Sequence, residues 1–253
     1  MRLVRFRTGD RIATGLVEGE YVRPLRGTFF QDPVPTGEEI PLADVRLLAP
    51  VIPSKVVAVG KNYVEHAAEM GGDVPEEPII FLKPSTSVIG PGDPIPYPAM
   101  ATRVDHEAEL ALIVGRLARR VPADQAASVI LGFTCGNDVT ARDLQQRDGQ
   151  WTRAKGFDGF CPLGPWIETE LDADDVEVRC TVNGEVRQSA RTSQLAFGPS
   201  VLIEFISRVM TLLPGDVILT GTPAGVGPVQ PGDRIEVEVE GLGVLQNEVG
   251  SGE

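Results

Sequence analysis

The chain of 253 residues carries 36 acidic and 23 basic residues, which gives a net charge of −13 at pH 7. This length suits one large domain, or one domain with a small appendage, and the acidic balance argues against nucleic acid or an anionic membrane surface as a partner. Three cysteines without Cys-x-x-Cys spacing indicate neither a disulfide framework nor a zinc site.

The first fifty residues differ from the rest of the chain in their pattern of apolar, glycine and proline residues. Residues 1–26 alternate apolar and polar types with glycines as turn positions, which predicts a small meander of short strands. Residues 31–50 are rich in proline and glycine and are predicted to be a connecting segment. No apolar signal core opens the sequence and no stretch reaches membrane-spanning length, so we expect a cytoplasmic protein. We divide the chain into an N-terminal β segment with its linker (1–50) and a main domain (51–253).

A short helix is predicted after Asn62, which suits an N-cap, with Glu65 completing a capping box and Gly71 as the stop. His66 and Glu69 then lie on one face of this helix. A carboxylate beside an imidazole orients the ring and raises its basicity, which suits a general base. The same pattern also fits a surface helix with an incidental ion pair.

Three carboxylates carry the strongest chemical signal. Glu107 and Glu109 project from the same side of a predicted strand that Gly115 ends, while His106 and its alternate neighbours face the other side. Asp138 lies in the segment from Asn137 to Gln145. Anionic groups held side by side need a cation or a proton between them, and oxygen ligands suit Mg²⁺, with Mn²⁺ close behind. The spacing alone also fits a solvated strand end.

Later elements are strand-rich. Apolar runs predict strands at 56–59, 79–82, 110–114, 217–220 and 235–239. The dipeptide Asn183-Gly184 predicts a hairpin turn, and a helix is predicted from Gly198 to about Met210, ended by Pro214. The sum is a β-rich α+β protein. The glycine-rich segment at 220–228 lacks the Gly-Lys-Ser/Thr end of a Walker A motif, so a nucleotide site is not indicated.

Lysine is scarce in this chain. Only four of the 23 basic residues are lysines, namely Lys55, Lys61, Lys83 and Lys155. A preference of the genome for arginine would explain the imbalance. The remaining lysines then become candidates for positions where a compact point charge performs better than a planar guanidinium. Incomplete drift of surface positions is the alternative for one or two of them.

Six segments, in this order, together closely resemble the fumarylacetoacetate hydrolase family; they are residues 59–63, 81–85, 106–110, 137–145, 155–158 and 220–228. The resemblance covers residue 53 to about residue 250. It is strongest to the short members that act on acylpyruvates and oxaloacetate, and to the isomerase/decarboxylase members of homoprotocatechuate degradation, a route of aromatic compound catabolism. It implies a mixed β-roll or distorted β-sandwich, a homodimer, and a site at the open mouth of the C-terminal domain.

The resemblance also implies roles for particular residues. The metal ligands would be Glu107, Glu109 and Asp138; the catalytic residues His66, Glu69 and Lys155; the substrate contacts Arg142, Gln145 and Thr222. The implied metal is Mg²⁺, with Mn²⁺ as the alternative, and the implied partner is a small anionic 2-oxo acid. His106, Asp143 and Asp158 are assigned to the scaffold.

We therefore expect a metal-dependent enzyme that acts on 2-oxo or acylpyruvate-type dicarboxylates and cleaves a carbon–carbon bond, by hydrolysis or decarboxylation, through a metal-stabilised enolate. Lys155 and Gln145 would stabilise the developing charge, and His66 with Glu69 would activate water. Isomerisation of 2-hydroxyhepta-2,4-diene-1,7-dioate, or decarboxylation of 5-oxopent-3-ene-1,2,5-tricarboxylate, is the alternative. A catalytically silent binding paralogue is a third interpretation, which would predict the loss of site residues.

Overall fold

The computed structural model describes residues 1–69 and 71–251, and at Asp32 the backbone alone. The strands of this part of the chain are β1 (Arg2–Thr8), β2 (Arg11–Glu18), β3 (Tyr21–Thr28), β4 (Gln31–Pro35), β5 (Ile40–Pro41), β6 (Arg46–Leu48), β7 (Val56–Gly60), β8 (Ile79–Lys83), β9 (Val88–Ile89), β10 (Val104–His106), β11 (Ala108–Val114), β12 (Ile130–Asn137), β13 (Thr140–Ala141), β14 (Cys161–Glu168), β15 (Glu177–Val182), β16 (Glu185–Arg191), β17 (Val217–Leu219), β18 (Gly227–Val229), β19 (Arg234–Val239) and β20 (Gly243–Glu248). The α-helices are α1 (Val64–Glu69), α2 (Arg142–Asp148), α3 (Thr152–Lys155) and α4 (Pro199–Val209).

One large curled mixed sheet organises the molecule. Its strands run in the order β4-β3-β2-β1-β14-β12-β11-β17-β7-β8, and the short strands β5, β6 and β9 attach to β3, β1 and β14. The pair β7 and β17 is parallel, whereas β11 is antiparallel to β12 and to β17. Every residue of β11 is buried, which means that both faces of the sheet are covered at its centre. The prediction of a β-rich α+β fold of this type is confirmed.

A four-stranded sheet in the order β16-β15-β19-β20 covers the centre of the large sheet. In β19, Ile235, Val237 and Val239 are buried at alternate positions, as the period of a strand requires. These side chains share one core with Leu110 and Leu112 of β11 and with the apolar face of α4. The site described below lies at the end of this core, where β10, β11 and β12 meet.

The N-terminal segment contains the predicted meander, β1 to β3. Gly9 and Gly19 occupy its turns with positive φ, but Gly15 lies within β2, where a Cβ would come 2.6 Å from Cγ1 of Val22. The prediction of a mere connector over 31–50 is wrong, since β4, β5 and β6 lie there. Their prolines stand in short strands at the margin of the sheet, where a missing N–H donor is tolerated. Strand β1 pairs with β14, so this segment extends the main sheet.

The predicted hairpin and the predicted long helix are both present. Asn183 (φ +54°) and Gly184 (φ +82°) form the turn between β15 and β16, as the left-handed backbone of such turns requires. Gly198 is the N-cap of α4, which ends at Val209. None of the helices in the described residues is long and apolar enough to cross a membrane.

Of the two predicted ends of α1, the C-terminal stop at Gly71 is confirmed and the N-terminal cap is not. Gly71 has a left-handed backbone and the Gly72 N–H bonds to the Ala67 carbonyl, which is the hydrogen bond of a Schellman C-cap. The prediction that Asn62 caps the start is wrong. Its amide donates to the carbonyls of Phe197 (2.9 Å) and Thr220 (2.7 Å) instead, because the turn before α1 is packed against two other loops.

Candidate active site

The chain changes sheets at Glu107. Strand β10 pairs with β13 and β18 in a small third sheet, and β11 enters the large sheet one residue later. The Glu107 N–H donates to Oδ1 of Asn137 (3.0 Å), and the Glu107 carbonyl accepts from the Asp138 N–H (2.8 Å). The predicted single strand is therefore two strands. Backbone hydrogen bonding nevertheless fixes Glu107, Glu109 and Asp138 beside one another.

The three predicted carboxylates form one buried cluster. One carboxylate oxygen from each of Glu107, Glu109 and Asp138 lies within 4.8 Å of the other two. All three side chains line a cleft with an empty volume of about 720 Å³, part of which is open to solvent. Such a set of hard oxygen donors could hold a divalent cation.

Lys155, at the end of α3, bridges two of these carboxylates. Its Nζ lies 2.7 Å from Oε2 of Glu107 and 2.7 Å from Oδ2 of Asp138. Burial alone would lower the pKa of Lys155, but the negative charges of Asp138 and Glu107 raise it. The ammonium is thus held in its charged form at the floor of the cleft.

Two more cations complete the floor. Lys83 donates to Oδ1 of Asp138 (2.5 Å) and to the Val139 carbonyl (3.3 Å). Arg142, the first residue of α2, donates to Oε1 of Glu107 (2.5 Å) and to Oδ2 of Asp105 (2.9 Å). These three cationic side chains therefore pair with two carboxylates of the cluster, Glu107 and Asp138.

The positive charge is unevenly shared among the carboxylates. Burial alone would raise the pKa of Glu107, but Lys155 and Arg142 hold it well below its usual range. For Glu109, burial raises the pKa well above the usual range, and the charges of Asp138 and Glu107 raise it further. Its one hydrogen bond from the described residues comes from the Gly221 N–H (2.6 Å). Glu109 is the carboxylate that lacks a compensating cation.

His66, on the short helix α1, lines the same cleft, and Glu69 on the same helix contacts the imidazole ring. Nδ1 of His66 lies 3.1 Å from Oε2 of Glu69, and His66 itself is buried. The Glu69 carboxylate also accepts from the Gly225 N–H, at 3.1 and 3.3 Å to its two oxygens. Because Glu69 occupies Nδ1, Nε2 is the ring nitrogen that remains for proton transfer.

A glycine-rich loop joins the floor to this pair. Gly221 (φ +104°) donates to Glu109, and Gly225 (φ +97°) donates to Glu69. A Cβ on Gly221 would come 2.7 Å from Cβ of Asn62, and one on Gly225 would come 2.1 Å from the Arg187 carbonyl oxygen. Both positions require glycine, since the backbone conformation and the space exclude a side chain. The loop binds two carboxylates of the site through its amides.

The predicted substrate contacts all line the cleft, but their polar atoms also bind protein groups. Nη1 of Arg142 donates to Oε1 of Gln145 (2.6 Å). The Thr222 hydroxyl donates to the Ala108 carbonyl (2.8 Å) and accepts from Nε2 of Gln188 (2.8 Å). Their contact with substrate stays a prediction.

Sequence reasoning missed several residues of this site. Lys83 lies within the 81–85 segment of the resemblance, and the scarcity of lysine was the signal that could have assigned it. Phe81 and Trp151 form an apolar wall with an edge-to-face contact (centroids 5.1 Å apart), and Nζ of Lys155 lies 5.2 Å from the Phe81 ring centroid. No local pattern identifies Gln188 of β16, which comes from a distant strand.

His106 does not line the cleft. Its Nδ1 lies 3.0 Å from Oε1 of Gln188, which also accepts from the Ala108 N–H (3.0 Å). Burial lowers the pKa of His106. These contacts bind His106 to β16 and agree with the assignment of His106 to the scaffold.

Comparison with known proteins gives this geometry a family context. The family model described as fumarylacetoacetate (FAA) hydrolase C-terminal matches residues 55–250, and a second model, Rv2993c-like N-terminal, matches residues 1–50. The human protein "Oxaloacetate tautomerase FAHD2B, mitochondrial" is 46% identical over 223 residues, which cover 83% of this chain and 71% of the relative.

Two solved structures extend the comparison to the whole chain. The structure of 5-carboxymethyl-2-hydroxymuconate delta-isomerase from Mycobacterium smegmatis is 55% identical, with a TM-score of 0.94 over 99% of this chain and 100% of that chain. Maleylpyruvate hydrolase from Sphingobium sp. SYK-6, in complex with manganese(II) ion and pyruvate, is 34% identical, with a TM-score of 0.83 over 100% of both chains. The resemblance seen in the sequence is confirmed: this chain belongs to the fumarylacetoacetate hydrolase family.

Proposed function

We propose that this protein is a divalent-metal-dependent enzyme that moves a proton at the carbon next to the 2-oxo group of a 2-oxo dicarboxylate, as a tautomerase or isomerase does. The observation that carries the proposal is the meeting of three buried carboxylates, the Lys155 ammonium and the imidazole of His66, which Glu69 orients, in one cleft. Relatives named for oxaloacetate tautomerisation and for isomerisation of a hydroxymuconate support this reaction class.

The residues present fit a metal. Glu107, Glu109 and Asp138 offer oxygen ligands only, and Glu109 lacks a compensating charge, as expected of a carboxylate that binds a cation. Mg²⁺ or Mn²⁺ suits such a set, and the manganese complex of the maleylpyruvate hydrolase supports this class of ion. When bound, the cation would supply Lewis acidity to the 2-oxo group of the substrate.

Residues of the chain itself would stabilise the developing charge and transfer the proton. Lys155 is held charged at the floor, so its ammonium would stabilise negative charge that develops on the 2-oxo oxygen. His66, oriented by Glu69, would take the proton from the neighbouring carbon and return it at a different position. The Phe81–Trp151 wall would exclude water on one side and strengthen these electrostatic interactions.

Cleavage of a carbon–carbon bond, by acylpyruvate hydrolysis or oxaloacetate decarboxylation, is the second candidate. The His66–Glu69 pair favours hydrolysis in particular, because a base that can take a proton from carbon can also take one from water. The maleylpyruvate hydrolase is a relative with this type of name. The two candidates share the floor of the cleft and differ in what the base acts on.

An ultraviolet assay separates these candidates. The purified protein with Mg²⁺ or Mn²⁺ would receive oxaloacetate, acetylpyruvate or fumarylpyruvate, each repeated with EDTA, while enol absorbance and pyruvate are followed in parallel. Metal-dependent change of the enol absorbance without pyruvate supports tautomerisation or isomerisation. Metal-dependent pyruvate release supports cleavage. No metal-dependent change with any of the three substrates would contradict both.

A further inference from the structure

Lys61 stands in an unusual backbone conformation at the edge of the cleft. It directly follows β7, in the turn before α1, with φ at +57°. This left-handed conformation is unfavourable for a residue with a Cβ, and glycine or asparagine is the usual choice there. Strained positions of this kind cluster at functional sites, where the side chain or the backbone has a use.

Lys61 also differs from the three other lysines. Lys55 pairs with Asp216, Lys83 pairs with Asp138, and Lys155 pairs with Glu107 and Asp138. Within residues 1–69 and 71–251, the Lys61 ammonium has no carboxylate oxygen within 4.0 Å and donates no hydrogen bond, whereas each of the other three ammonium groups does. It is the lysine whose charge the fold of these residues does not use.

The position of Lys61 indicates which kind of group its ammonium could bind. The residue is half-buried and lines the same cleft as the carboxylate cluster. Its Nζ lies next to Gly72, since a Cβ built there would be 3.1 Å away. The ammonium is thus at the rim, where α1 ends, and not at the floor. Gln145 and Gln146, which also line the cleft, offer amides but no charge.

The cations at the floor of the cleft already pair with carboxylates of the protein. A dicarboxylate substrate therefore needs another cation, at the rim, for its second carboxylate. Lys83, Lys155 and Arg142 are committed to Asp138, Glu107 and Asp105. A substrate that presents its 2-oxo acid end to the floor therefore has its second carboxylate nearer the mouth, where these cations do not provide a partner. Burying that carboxylate unpaired would be costly.

We propose that Lys61 binds the second carboxylate of the substrate and sets the preference of this protein for dicarboxylates over monocarboxylates. This inference rests on the proposed function, since it assumes a 2-oxo acid in the cleft. One charge-assisted hydrogen bond in a partly open cleft corresponds to a preference of about tenfold. The strained backbone of Lys61 is then explained, because this turn carries the side chain to the rim.

Calorimetric titration with a matched pair of ligands tests the inference without turnover. In the presence of Mn²⁺, 2-oxoglutarate and 2-oxopentanoate have chains of equal length and differ only in the second carboxylate. The wild type is expected to prefer 2-oxoglutarate about tenfold. Lys61→Asn, which suits the left-handed backbone, should lose this preference and keep its affinity for 2-oxopentanoate. Lys61→Arg should retain part of the preference.

Arg119→Gln provides a control, because it removes one positive charge from an exposed residue that does not line the cleft. It should leave the preference unchanged. An undiminished preference in Lys61→Asn, or none in the wild type, would overturn the role of Lys61 while leaving the proposed function intact. Binding of neither acid to the wild type would overturn the proposed function, and this assignment with it. Unchanged 2-oxopentanoate affinity in Lys61→Asn also shows that the variant is folded.

Discussion

Two buried carboxylates of this molecule, Asp216 and Glu109, show how differently a fold can treat the same group. Asp216 accepts hydrogen bonds from the Ser54 hydroxyl (2.6 Å), from the Leu213 N–H (2.8 Å) and from the Lys55 ammonium. Burial alone would raise the pKa of Asp216, but these donors lower it. Among the residues that the structure describes, Glu109 has one amide donor and two carboxylate neighbours, and its pKa is raised.

The difference separates a structural carboxylate from one prepared for a ligand. Asp216 directly precedes β17 and binds residues 54 and 55, which lead into β7, so it closes the parallel pair of strands next to the site. The negative charge of Asp216 is compensated by donors within the fold. The negative charge of Glu109 at the floor of the cleft is not compensated, and a bound divalent cation would compensate it. Incomplete compensation of a buried charge, more than burial itself, marks the site.

The largest effect that would test this contrast is expected at Asp138. Asp138→Ala should reduce turnover at least 1,000-fold, on the order expected when a principal electrostatic contribution is lost. It should also abolish tight Mn²⁺ binding, measured by calorimetry. Because the change leaves Lys83 without its carboxylate partner and Lys155 with Glu107 alone, Asp138→Asn is the second variant, with the same expected loss of metal. Asp143→Asn, in the same segment but bonded to Thr102, should bind Mn²⁺ normally. Full activity of Asp138→Ala with an empty site would refute the metal assignment.

A smaller effect is expected at the rim. His66→Ala should bind Mn²⁺ as the wild type does and lose about 100-fold or more in the rate of proton transfer or of acylpyruvate hydrolysis, which is the usual contribution of a general base. The reason is that His66 hydrogen-bonds Glu69 and no carboxylate of the cluster. Steady-state rates with Mn²⁺, together with metal titration, check both parts. An unchanged rate would remove the pair from the mechanism.

The sequence predicted the strands better than their connections. The apolar run 110–114 and the turn at Asn183-Gly184 are governed by local period and local backbone preference, and both were predicted correctly. The strands within residues 31–50 were missed because their prolines argue locally against pairing, whereas the edge of a sheet accepts them. Asn62 failed as a cap for a related reason, since tertiary contacts with Phe197 and Thr220 outweighed a local motif.

The same limit applies to the site. Strand alternation placed Glu107 and Glu109 on one side, and helix spacing paired His66 with Glu69. The family resemblance then implied the roles of these residues and those of Asp138 and Lys155. The roles of Lys83, Gln188 and Trp151 depend on segments far apart in the chain. Such contacts leave no periodic signal, so the pairing of Lys83 with Asp138 became visible only in the folded chain.

Asp216→Asn should cost about 2–3 kcal/mol of stability, because it removes the partner of Lys55 and several hydrogen bonds at once. The folded-state pKa of Asp216 is lowered from its usual 3.8, so its stabilisation is fully present above that value and is lost as the pH falls through the folded-state pKa. The difference in unfolding free energy between variant and wild type should be constant from neutral pH to about pH 5 and shrink below about pH 4. Urea denaturation at several pH values measures it, with one series in EDTA and a parallel series in Mn²⁺. A difference that depended on Mn²⁺ instead would break the contrast with Glu109.

The smallest expected effect is the change in stability caused by Glu109→Gln. It discriminates best, because its sign is opposite to that of the change expected for Asp216→Asn. In the metal-free protein, Glu109→Gln should raise stability by about 1 kcal/mol, since a neutral amide relieves the repulsion from Asp138 and Glu107 and can donate to them. Thermal unfolding after EDTA treatment should then show a rise of about 2–4 °C for a chain of this size. Added Mn²⁺ should stabilise the wild type, by about 2.7 kcal/mol at 100 times its dissociation constant, but not the variant. If the metal-free variant is less stable than the metal-free wild type, Glu109 is a structural carboxylate like Asp216, which the fold itself requires.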